Sequence, residues 1–288
     1  MTNFLLTGGG TAGHVNPLLA VAKSLVAQGH KVYALGTADG LEARLVPEAG
    51  IQLLTVEKVP FPRRPGFKAV AFPFRFQKAT KAIEGYLAKY EIGAVVGFGG
   101  YVSAPAYRAA KRKKLPLIIH EANALAGMAN RYGNKFASAA GVAFRSSNLE
   151  KTDFVGLPLR DEIVQLAKKK DVAAARNHFG LRKDSLTLLV TGGSLGARSI
   201  NRVIDSTAPL LRAAGIQILH IVGDKSPLEE LSDPEYRRIK YCYKMELAFA
   251  ACDFAVSRAG AATVSELSAL GIPALYIPYP VGNGEQNF

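Results

Sequence analysis

The feature that most constrains the fold is a pattern that opens each half of the chain: a short apolar run, a glycine-rich turn and an amphipathic helix. In the first half, residues 3–7 lead into the turn 8–13, with the sequence GGGTAG. In the second half, residues 186–191 lead into the turn 192–196, with the sequence GGSLG. When such a turn joins a strand to a helix, the backbone N–H groups of the turn and of the helix start point at a ligand. This geometry suits phosphate.

Between and after these turns, short apolar runs alternate with helical patterns to the end of the chain. This alternation is typical of α/β domains in which helices cover both faces of a parallel sheet. Gly156 and Pro158 interrupt the pattern before it restarts, so we predict two doubly wound domains, 1–156 and 157–288. The predicted strands are 3–7, 31–36, 51–56, 92–98, 115–120, 140–144, 186–191, 216–223, 253–257 and 273–277.

Composition narrows the class of protein. Cys242 and Cys252 are the only cysteines, which argues against a disulfide framework and a structural zinc site and suits the cytosol. We expect no membrane-spanning helix and no secretory signal, because the sequence has no long apolar run and no signal-like start. Residues 1–155 hold 20 Lys and Arg against 9 Asp and Glu, a net charge of +11, whereas the rest carries +2. Such a basic half suits an anionic lipid, a nucleic acid or a phosphorylated substrate, or is a solvated surface.

The segment 58–81 interrupts the alternation and mixes basic with aromatic residues. Seven lysines and arginines are interleaved with five phenylalanines, and four prolines interrupt its first part. Such a segment suits docking to an anionic membrane surface, and it also suits stacking on single-stranded nucleic acid. The alternative is a loop and helix whose phenylalanines belong to the core.

The first turn matches the dinucleotide fingerprint through Gly8, Gly10 and Gly13, but that match alone is weak. An NAD site also needs an acidic residue at the end of the second strand, to hold the ribose. The second strand here ends at Thr37 and Asp39 comes late, so an NAD-type site is disfavoured. The histidine that follows the turn can move protons near pH 7, although it is also acceptable as a plain helix-start residue.

Three further stretches place polar residues where parallel strands end, which is where such sheets bind ligands. Residues 97–103 form a second glycine turn (GFGGYVS), and residues 120–123 (HEAN) follow the next strand. In the second half, residues 257–266 (SRAGAATVSE) predict strand, turn and helix start. The carboxylate of Glu266 there suits two sugar hydroxyls, or it complements the helix dipole.

Together these stretches resemble the MurG family, the N-acetylglucosaminyltransferases of peptidoglycan synthesis in glycosyltransferase family 28. The resemblance implies a GT-B fold, in which two Rossmann-like parallel-sheet domains face each other across a cleft. It also implies that further strands and helices follow Phe288, so that the second domain is truncated here. The matching motifs are GGGTAGHVNP (8–17), LGTADGLEARLVPEAG (35–50), GFGGYVSAPA (97–106), HEANALAGMANR (120–131), VGLPLR (155–160), GGSLGAR (192–198) and SRAGAATVSELSALGIPALYIPYP (257–280).

The resemblance implies an inverting hexosyltransferase that moves GlcNAc from UDP-GlcNAc to the MurNAc C4 hydroxyl of lipid I, giving lipid II. It implies no cofactor, no metal and no nucleic acid partner. It also implies a role in cell wall biogenesis, and through it in cell shape and division. The expected location is peripheral, at the cytoplasmic face of the cell membrane, with the basic-aromatic segment on the anionic surface.

Site residues follow from the same resemblance. His14 is the first candidate for general base and Glu121 the second, and the N–H groups of the first turn are expected to face the lipid I diphosphate. Glu266 is expected on the ribose hydroxyls and Thr263 near phosphate. The family often has glycine where this chain has Ala12. The implied substrate-binding residues are Thr11, Ala12, Gly13 and Asn123 near the reaction centre, Arg160 and Ser194 at the diphosphate, Cys242 and Met245 at the uracil, Ala261, Ala262, Thr263, Val264, Ser265 and Glu266 in the donor loop, and Gln286 at the GlcNAc hydroxyls.

Three alternatives remain at this point. A related glycolipid glycosyltransferase would turn over with diacylglycerol instead of lipid I. A UDP-GlcNAc 2-epimerase would convert UDP-GlcNAc without an acceptor. An NAD-dependent dehydrogenase would bind NADH and not UDP-GlcNAc.

Overall fold

The chain divides into two compact units, Met1–Arg160 and Asp161–Phe288. A computed structural model describes residues 1–62, 67–193 and 196–279. The seam predicted from the sequence, between residues 156 and 157, lies just before this division.

The first unit is a parallel sheet with helices between its strands. The strand order is β3-β2-β1-β4-β5-β6-β7, and every neighbouring pair is parallel. The chain therefore starts in the middle of the sheet, winds to one edge, and returns through α3 to build the other. Its elements are β1 (Asn3–Thr7), α1 (Ala12–Ala27), β2 (Lys31–Gly36), α2 (Glu42–Glu48), β3 (Gln52–Thr55), α3 (Phe67–Lys89), β4 (Ile92–Gly97), α4 (Ser103–Arg112), β5 (Leu117–Glu121), α5 (Met128–Asn134), β6 (Ala139–Val142) and β7 (Asp153–Phe154).

Both faces of this sheet are buried, which is why its strands read as continuous apolar runs. Leu5 and Leu6 are adjacent in β1, and both are fully buried, yet they belong to different core clusters. Successive side chains of a strand point to opposite faces, so each residue packs on a different helical layer. The arrangement leaves the carboxyl ends of β1, β4 and β5 side by side at one edge of the sheet.

The second unit repeats the plan with a shorter sheet. Its order is β10-β11-β9-β8-β12-β13, with β10 antiparallel to β11 and the other pairs parallel. The first strand of this unit, β8, again lies inside the sheet, between β9 and β12. Its elements are α6 (Asp161–Lys168), α7 (Val172–His178), β8 (Leu186–Thr191), α8 (Arg198–Ala213), β9 (Ile216–Ile221), β10 (Leu231–Ser232), β11 (Tyr236–Ile239), α9 (Met245–Ala251), β12 (Phe254–Arg258), α10 (Ala261–Ala269) and β13 (Ala274–Ile277).

The basic-aromatic segment is largely helical. Its second part forms the start of α3, within which Pro73 is accommodated, while residues 63–66 lie outside the described part. None of Phe61, Phe72, Phe74 and Phe76 is fully buried, which disfavours the core interpretation of this segment. Among the described helices, none combines the length and apolarity needed to cross a bilayer.

A buried histidine ties the second sheet to the helix that covers it. His220, in β9, is fully buried, with Nδ1 2.9 Å from the hydroxyl of Tyr236 and Nε2 3.1 Å from Oδ1 of Asn201. Burial, together with the nearby Arg238 cation, lowers the pKa of His220 to about 4, against a smaller opposing effect of Asp205. His220 is therefore neutral in the folded protein near pH 7.

This depressed pKa predicts a loss of stability in mild acid. Below about pH 6.5 His220 is protonated in the unfolded chain and stays neutral in the folded protein. Its contribution to the free energy of unfolding is therefore complete above that pH and is lost as the pH falls towards about 4. Between about pH 6.5 and 5 the His220 contribution to the free energy of unfolding should fall by about 2 kcal/mol. Urea unfolding of wild type and His220→Gln across this range measures it, with the exposed His178→Gln as control. An equal pH slope in wild type and His220→Gln would contradict the prediction.

Candidate functional site

The first glycine turn is hydrogen-bonded to the buried carboxylate of Glu42. The N–H of Gly10 donates to Oε2 of Glu42 (2.9 Å), and Thr37 donates to Oε1 through both its N–H (2.9 Å) and its hydroxyl (2.8 Å). Glu42 is only 1% exposed. The sequence interpretation expected the N–H groups of this turn to face a ligand. For Gly10 the structure differs, because a protein carboxylate already accepts from that N–H.

The N–H groups that have no side-chain cap lie just after Gly10, at the start of α1. Thr11 is its N-cap residue, with an extended backbone and no capping hydrogen bond from its side chain, and the first turn contains no acidic residue. Thr11 and Ala12 are exposed and Gly13 is half-buried. An uncapped helix start carries unsatisfied N–H groups and partial positive charge, so these three positions suit an anionic or hydroxyl-rich ligand.

His14 directly follows these three residues in the first turn of α1, and its two ring nitrogens have different surroundings. Nδ1 is 3.1 Å from the carbonyl oxygen of Gly9 and 3.2 Å from Oγ1 of Thr11. Nε2 faces Gly99, at which a Cβ atom would lie 3.2 Å from it. Gly99 has a φ of +90°, which favours glycine, and a side chain there would crowd Nε2.

The polar stretches 97–103 and 120–123 meet the first turn at the same edge of the sheet. Gly100, also at φ +90°, packs so tightly that a Cβ there would lie 2.5 Å from the carbonyl oxygen of Gly9. Glu121, 2% exposed, accepts four hydrogen bonds: Oε1 from the N–H (2.8 Å) and Nδ2 (3.1 Å) of Asn123, and Oε2 from the N–H of Gly127 (3.0 Å) and Nδ2 of Asn130 (2.9 Å). The first turn, the second turn and the loop after β5 thus form one continuous surface.

In the second unit, the glycine turn after β8 leads into another uncapped helix. Gly192 and Gly193 follow the strand, and α8 begins at Arg198 with no side-chain cap and no acidic residue in its first turn. Ser194, expected at the diphosphate, lies outside the described residues. Gly196 packs against the carbonyl oxygen of Val222, the residue directly after β9.

The donor loop predicted at 261–266 forms the start of α10. This helix has Gly260 as N-cap, no capping side chain and no acidic residue in its first turn. Ala261 to Ser265 are half-buried and Glu266 is buried at 8% exposure. A loop of small residues at an uncapped helix start leaves room for a ligand to approach the backbone N–H groups.

The remaining predicted residues occupy separate places in their units. Cys242 is buried in the loop after β11, and burial raises the pKa of its thiol. Met245 is the first residue of α9. Arg160 is half-buried at the end of the first unit, and Gln286 lies outside the described residues.

Comparison with known proteins identifies the family. The pattern of the glycosyltransferase family 28 N-terminal domain matches residues 4–142, and that of its C-terminal domain matches residues 187–287. The UDP-N-acetylglucosamine--N-acetylmuramyl-(pentapeptide) pyrophosphoryl-undecaprenol N-acetylglucosamine transferase of Leifsonia xyli is 53% identical over 99% of this chain and 80% of its own length. The enzyme of the same name from Streptomyces coelicolor is 48% identical over 98% of this chain and 79% of its own length. The chain belongs to glycosyltransferase family 28.

Solved structures agree with this family 28 assignment. Acinetobacter baumannii MurG matches with a TM-score of 0.76 at 28% identity, over 99% of this chain and 81% of its own. The calicheamicin glycosyltransferase CalG4 matches with a TM-score of 0.67 at 14% identity, over 96% of this chain and 79% of its own, and supports the fold alone. The GT-B fold predicted from the sequence is therefore confirmed.

In this family 28 chain, sequence reasoning missed two residues that the structure places beside the predicted ones. Asn130 donates to Glu121 and accepts from the Tyr107 hydroxyl (2.7 Å), and it lies near Gly99. Arg258, at the end of β12, reaches the carbonyl of Pro278 (2.9 Å) and Oγ of Ser199 (3.1 Å) at the start of α8. Both lie within the family-like motifs, at 120–131 and 257–280.

Proposed function

We propose that this protein transfers GlcNAc from UDP-GlcNAc to the MurNAc C4 hydroxyl of lipid I, giving lipid II with inversion at the anomeric carbon. The observation that carries the proposal is the similarity to the Leifsonia enzyme along almost the whole chain. The position of His14 beside the uncapped start of α1 supports the proposal independently. Transfer of a sugar to a hydroxyl needs a base next to the site that binds the acceptor.

His14 is the group placed to act as the general base. The carbonyl of Gly9 can only accept, so the proton of the neutral ring lies on Nδ1, and Nε2 carries the lone pair. In the reaction, the C4 oxygen of the acceptor forms a bond to the anomeric carbon while that carbon's bond to the UDP oxygen breaks. The hydroxyl proton passes to Nε2 of His14.

Glu121, the second candidate base, serves the site differently in this proposal. Each of its oxygens already accepts two hydrogen bonds, so the carboxylate has no lone pair left for a substrate proton. We assign it the role of holding the loop 121–130 against the second glycine turn, with Asn123 and Asn130 as its partners.

The departing UDP develops negative charge, which the second unit is suited to stabilise. The uncapped starts of α8 and α10 both present backbone N–H groups and partial positive charge. Thr263 lies in the first turn of α10, where its hydroxyl would add a donor near phosphate. In this proposal, Cys242 and Met245 flank the uracil, and Glu266 accepts from the ribose hydroxyls.

A single assay with donor and acceptor tests the function. Full-length protein is incubated with UDP-GlcNAc alone, with a lipid I analogue added, and with diacylglycerol added, and UDP release is measured. The proposal predicts release only with the lipid I analogue. Release only with diacylglycerol, or conversion of UDP-GlcNAc without any acceptor, would contradict it and favour a related glycolipid glycosyltransferase or an epimerase.

We further propose that the start of α3 docks on the anionic surface that carries the lipid acceptor. Val70, Phe74, Lys78 and Lys81 follow helical spacing and form one stripe; Val70 is 69% exposed and Phe74 78% exposed, and both lysines are exposed. Exposed apolar residues followed by lysines suit the interface of an anionic bilayer. Arg75 is not part of the stripe's charge, since it pairs with Glu57.

This proposal predicts salt-sensitive binding to vesicles. Lys78→Gln with Lys81→Gln should weaken binding to phosphatidylglycerol vesicles about 30-fold, since each lysine near the surface contributes about 1 kcal/mol. The matched control is Lys168→Gln with Lys169→Gln, the same loss of charge in the second unit. Sedimentation with vesicles at about 0.05 and 0.5 M salt measures the effect, which should shrink at high salt. Equal weakening by both double variants would contradict the assignment to α3.

A further inference from the structure

Glu42 and His14 contact the same peptide group from opposite sides. Oε2 of Glu42 accepts from the N–H of Gly10, and Nδ1 of His14 is 3.1 Å from the carbonyl oxygen of Gly9. That carbonyl and that N–H belong to one peptide bond. In a trans peptide they point in opposite directions within one plane, so whatever fixes the N–H also fixes the carbonyl.

We propose that Glu42 is a positioning residue for His14: through the Gly9–Gly10 peptide, it holds the proton of the imidazole on Nδ1 and keeps Nε2 as the acceptor of the substrate proton. Its role corresponds to that of the carboxylate in a Ser-His-Asp triad, with a peptide group inserted between carboxylate and imidazole. The catalytic part of this proposal rests on the proposed function of His14, whereas the tautomer part does not.

The direction of each hydrogen bond follows from the chemistry of the groups. The Gly9 oxygen has no proton, so a 3.1 Å approach of Nδ1 is favourable only when Nδ1 carries the hydrogen. Thr11 Oγ1, at 3.2 Å, can accept from the same hydrogen as a second partner. If Glu42 released Gly10, the peptide could rotate, the Gly9 carbonyl would turn away, and Thr11 could then donate to an unprotonated Nδ1.

Glu42 is ionised in the folded protein, which strengthens the relay. Burial raises the pKa of its carboxyl, but the hydrogen bonds from the backbone of Gly10 and Thr37 and from the Thr37 hydroxyl outweigh burial and lower it overall. A carboxylate on the N–H side polarises the peptide and increases the negative charge on the Gly9 oxygen. Hydrogen bonds in such a chain reinforce one another.

The packing around Glu42 indicates that this contact is built into the fold. Three glycines make room for its side chain: a Cβ at Gly9 would lie 2.6 Å from Oε1, and those at Gly36 and Gly40 would lie 2.3 Å from Cγ and Oε1. Gly100 packs on the Gly9 oxygen from another side, as described above. The carboxylate also accepts from the Gly10 N–H, so that N–H is not available to an anionic ligand.

The first test measures the tautomer in the wild-type protein. Nitrogen-15 spectra of protein labelled in its histidine rings, recorded at about pH 8 with His14→Gln to assign the signals, report which ring nitrogen is protonated. We expect Nδ1 of His14 protonated and Nε2 unprotonated. A proton predominantly on Nε2 would overturn the proposal, whether or not any variant folds and whether or not the protein transfers GlcNAc.

The second test removes the carboxylate and keeps its shape. Glu42→Gln places at most one amide oxygen among three donors, so Nε2–H of His14 should gain population and the Gly10 amide should exchange its hydrogen at least about tenfold faster. Turnover with a lipid I analogue should fall about 10- to 100-fold, with UDP affinity unchanged. Thr37→Val, which removes one donor to Glu42 and keeps the charge, should give a smaller effect in the same direction.

The matched control is Glu48→Gln, an exposed glutamate at the other end of α2. It should leave the tautomer, the Gly10 exchange rate and turnover unchanged. A Glu42→Gln protein that loses turnover while His14 keeps its proton on Nδ1 would assign Glu42 a structural role only and overturn the proposal. Absence of turnover in wild type, with the expected tautomer, would instead overturn the proposed function.

Discussion

Replacing His14 by glutamine should lower turnover with a lipid I analogue by about 10²- to 10⁴-fold, the usual contribution of a general base. Glutamine can still donate to the Gly9 carbonyl and maintain α1, but its amide nitrogen has no lone pair for a proton. The affinity for UDP should stay nearly unchanged, because the groups proposed to bind UDP lie in the second unit. Turnover by UDP release and UDP binding by calorimetry measure the two quantities.

His178→Gln, the same change at an exposed position of the second unit, is the control and should retain wild-type turnover. Turnover of His14→Gln within about tenfold of wild type would place the base elsewhere. Glu121→Gln would then be the next variant to measure. A parallel loss of UDP affinity would indicate that His14 supports the fold rather than the proton transfer.

Strands buried on both faces were predictable because their sequences are continuously apolar. The ends of β1, β2 and β8 agree with the sequence prediction, and the neighbouring strands differ by one or two residues. In contrast, β11 was missed because Arg237 and Arg238 interrupt its apolar pattern. The structure pairs Arg238 with Asp205, so its charge is balanced within the second unit. The strands β7 and β10 have two residues each, too few for any periodicity.

The site was predictable where local sequence determines geometry, and not where distant residues meet. Glycine turns before helices predict helix starts that suit a ligand, and within them the resemblance to the family selected Thr11 to Gly13 and Ala261 to Ser265. The bond between Gly10 and Glu42 joins residues 32 positions apart, and no local pattern indicates it. Local sequence therefore could not show that the Gly10 N–H is taken up by the Glu42 carboxylate and is closed to a ligand.

Replacing Glu266 by glutamine should weaken UDP binding about 30-fold or more. In the proposed site its carboxylate accepts from both ribose hydroxyls, and a hydrogen bond to a charged group contributes about 1.5–3 kcal/mol. Glu266 is buried near the start of α10, where such an acceptor is held in one orientation. Calorimetric titration with UDP measures the change, and Glu162→Gln, an exposed glutamate in the first turn of α6, is the control.

A ligand without the hydroxyls separates this role from a structural one. With 2′,3′-dideoxy-UDP, wild type and Glu266→Gln should bind with nearly equal affinity, because the ligand cannot donate to the carboxylate. The effects of the missing hydroxyls and of the substitution should therefore be strongly non-additive, as expected for groups in direct contact. Equal weakening of UDP and dideoxy-UDP by Glu266→Gln would contradict the ribose contact. It would mean that Glu266 instead stabilises the start of α10, on which the phosphate contacts of both ligands depend.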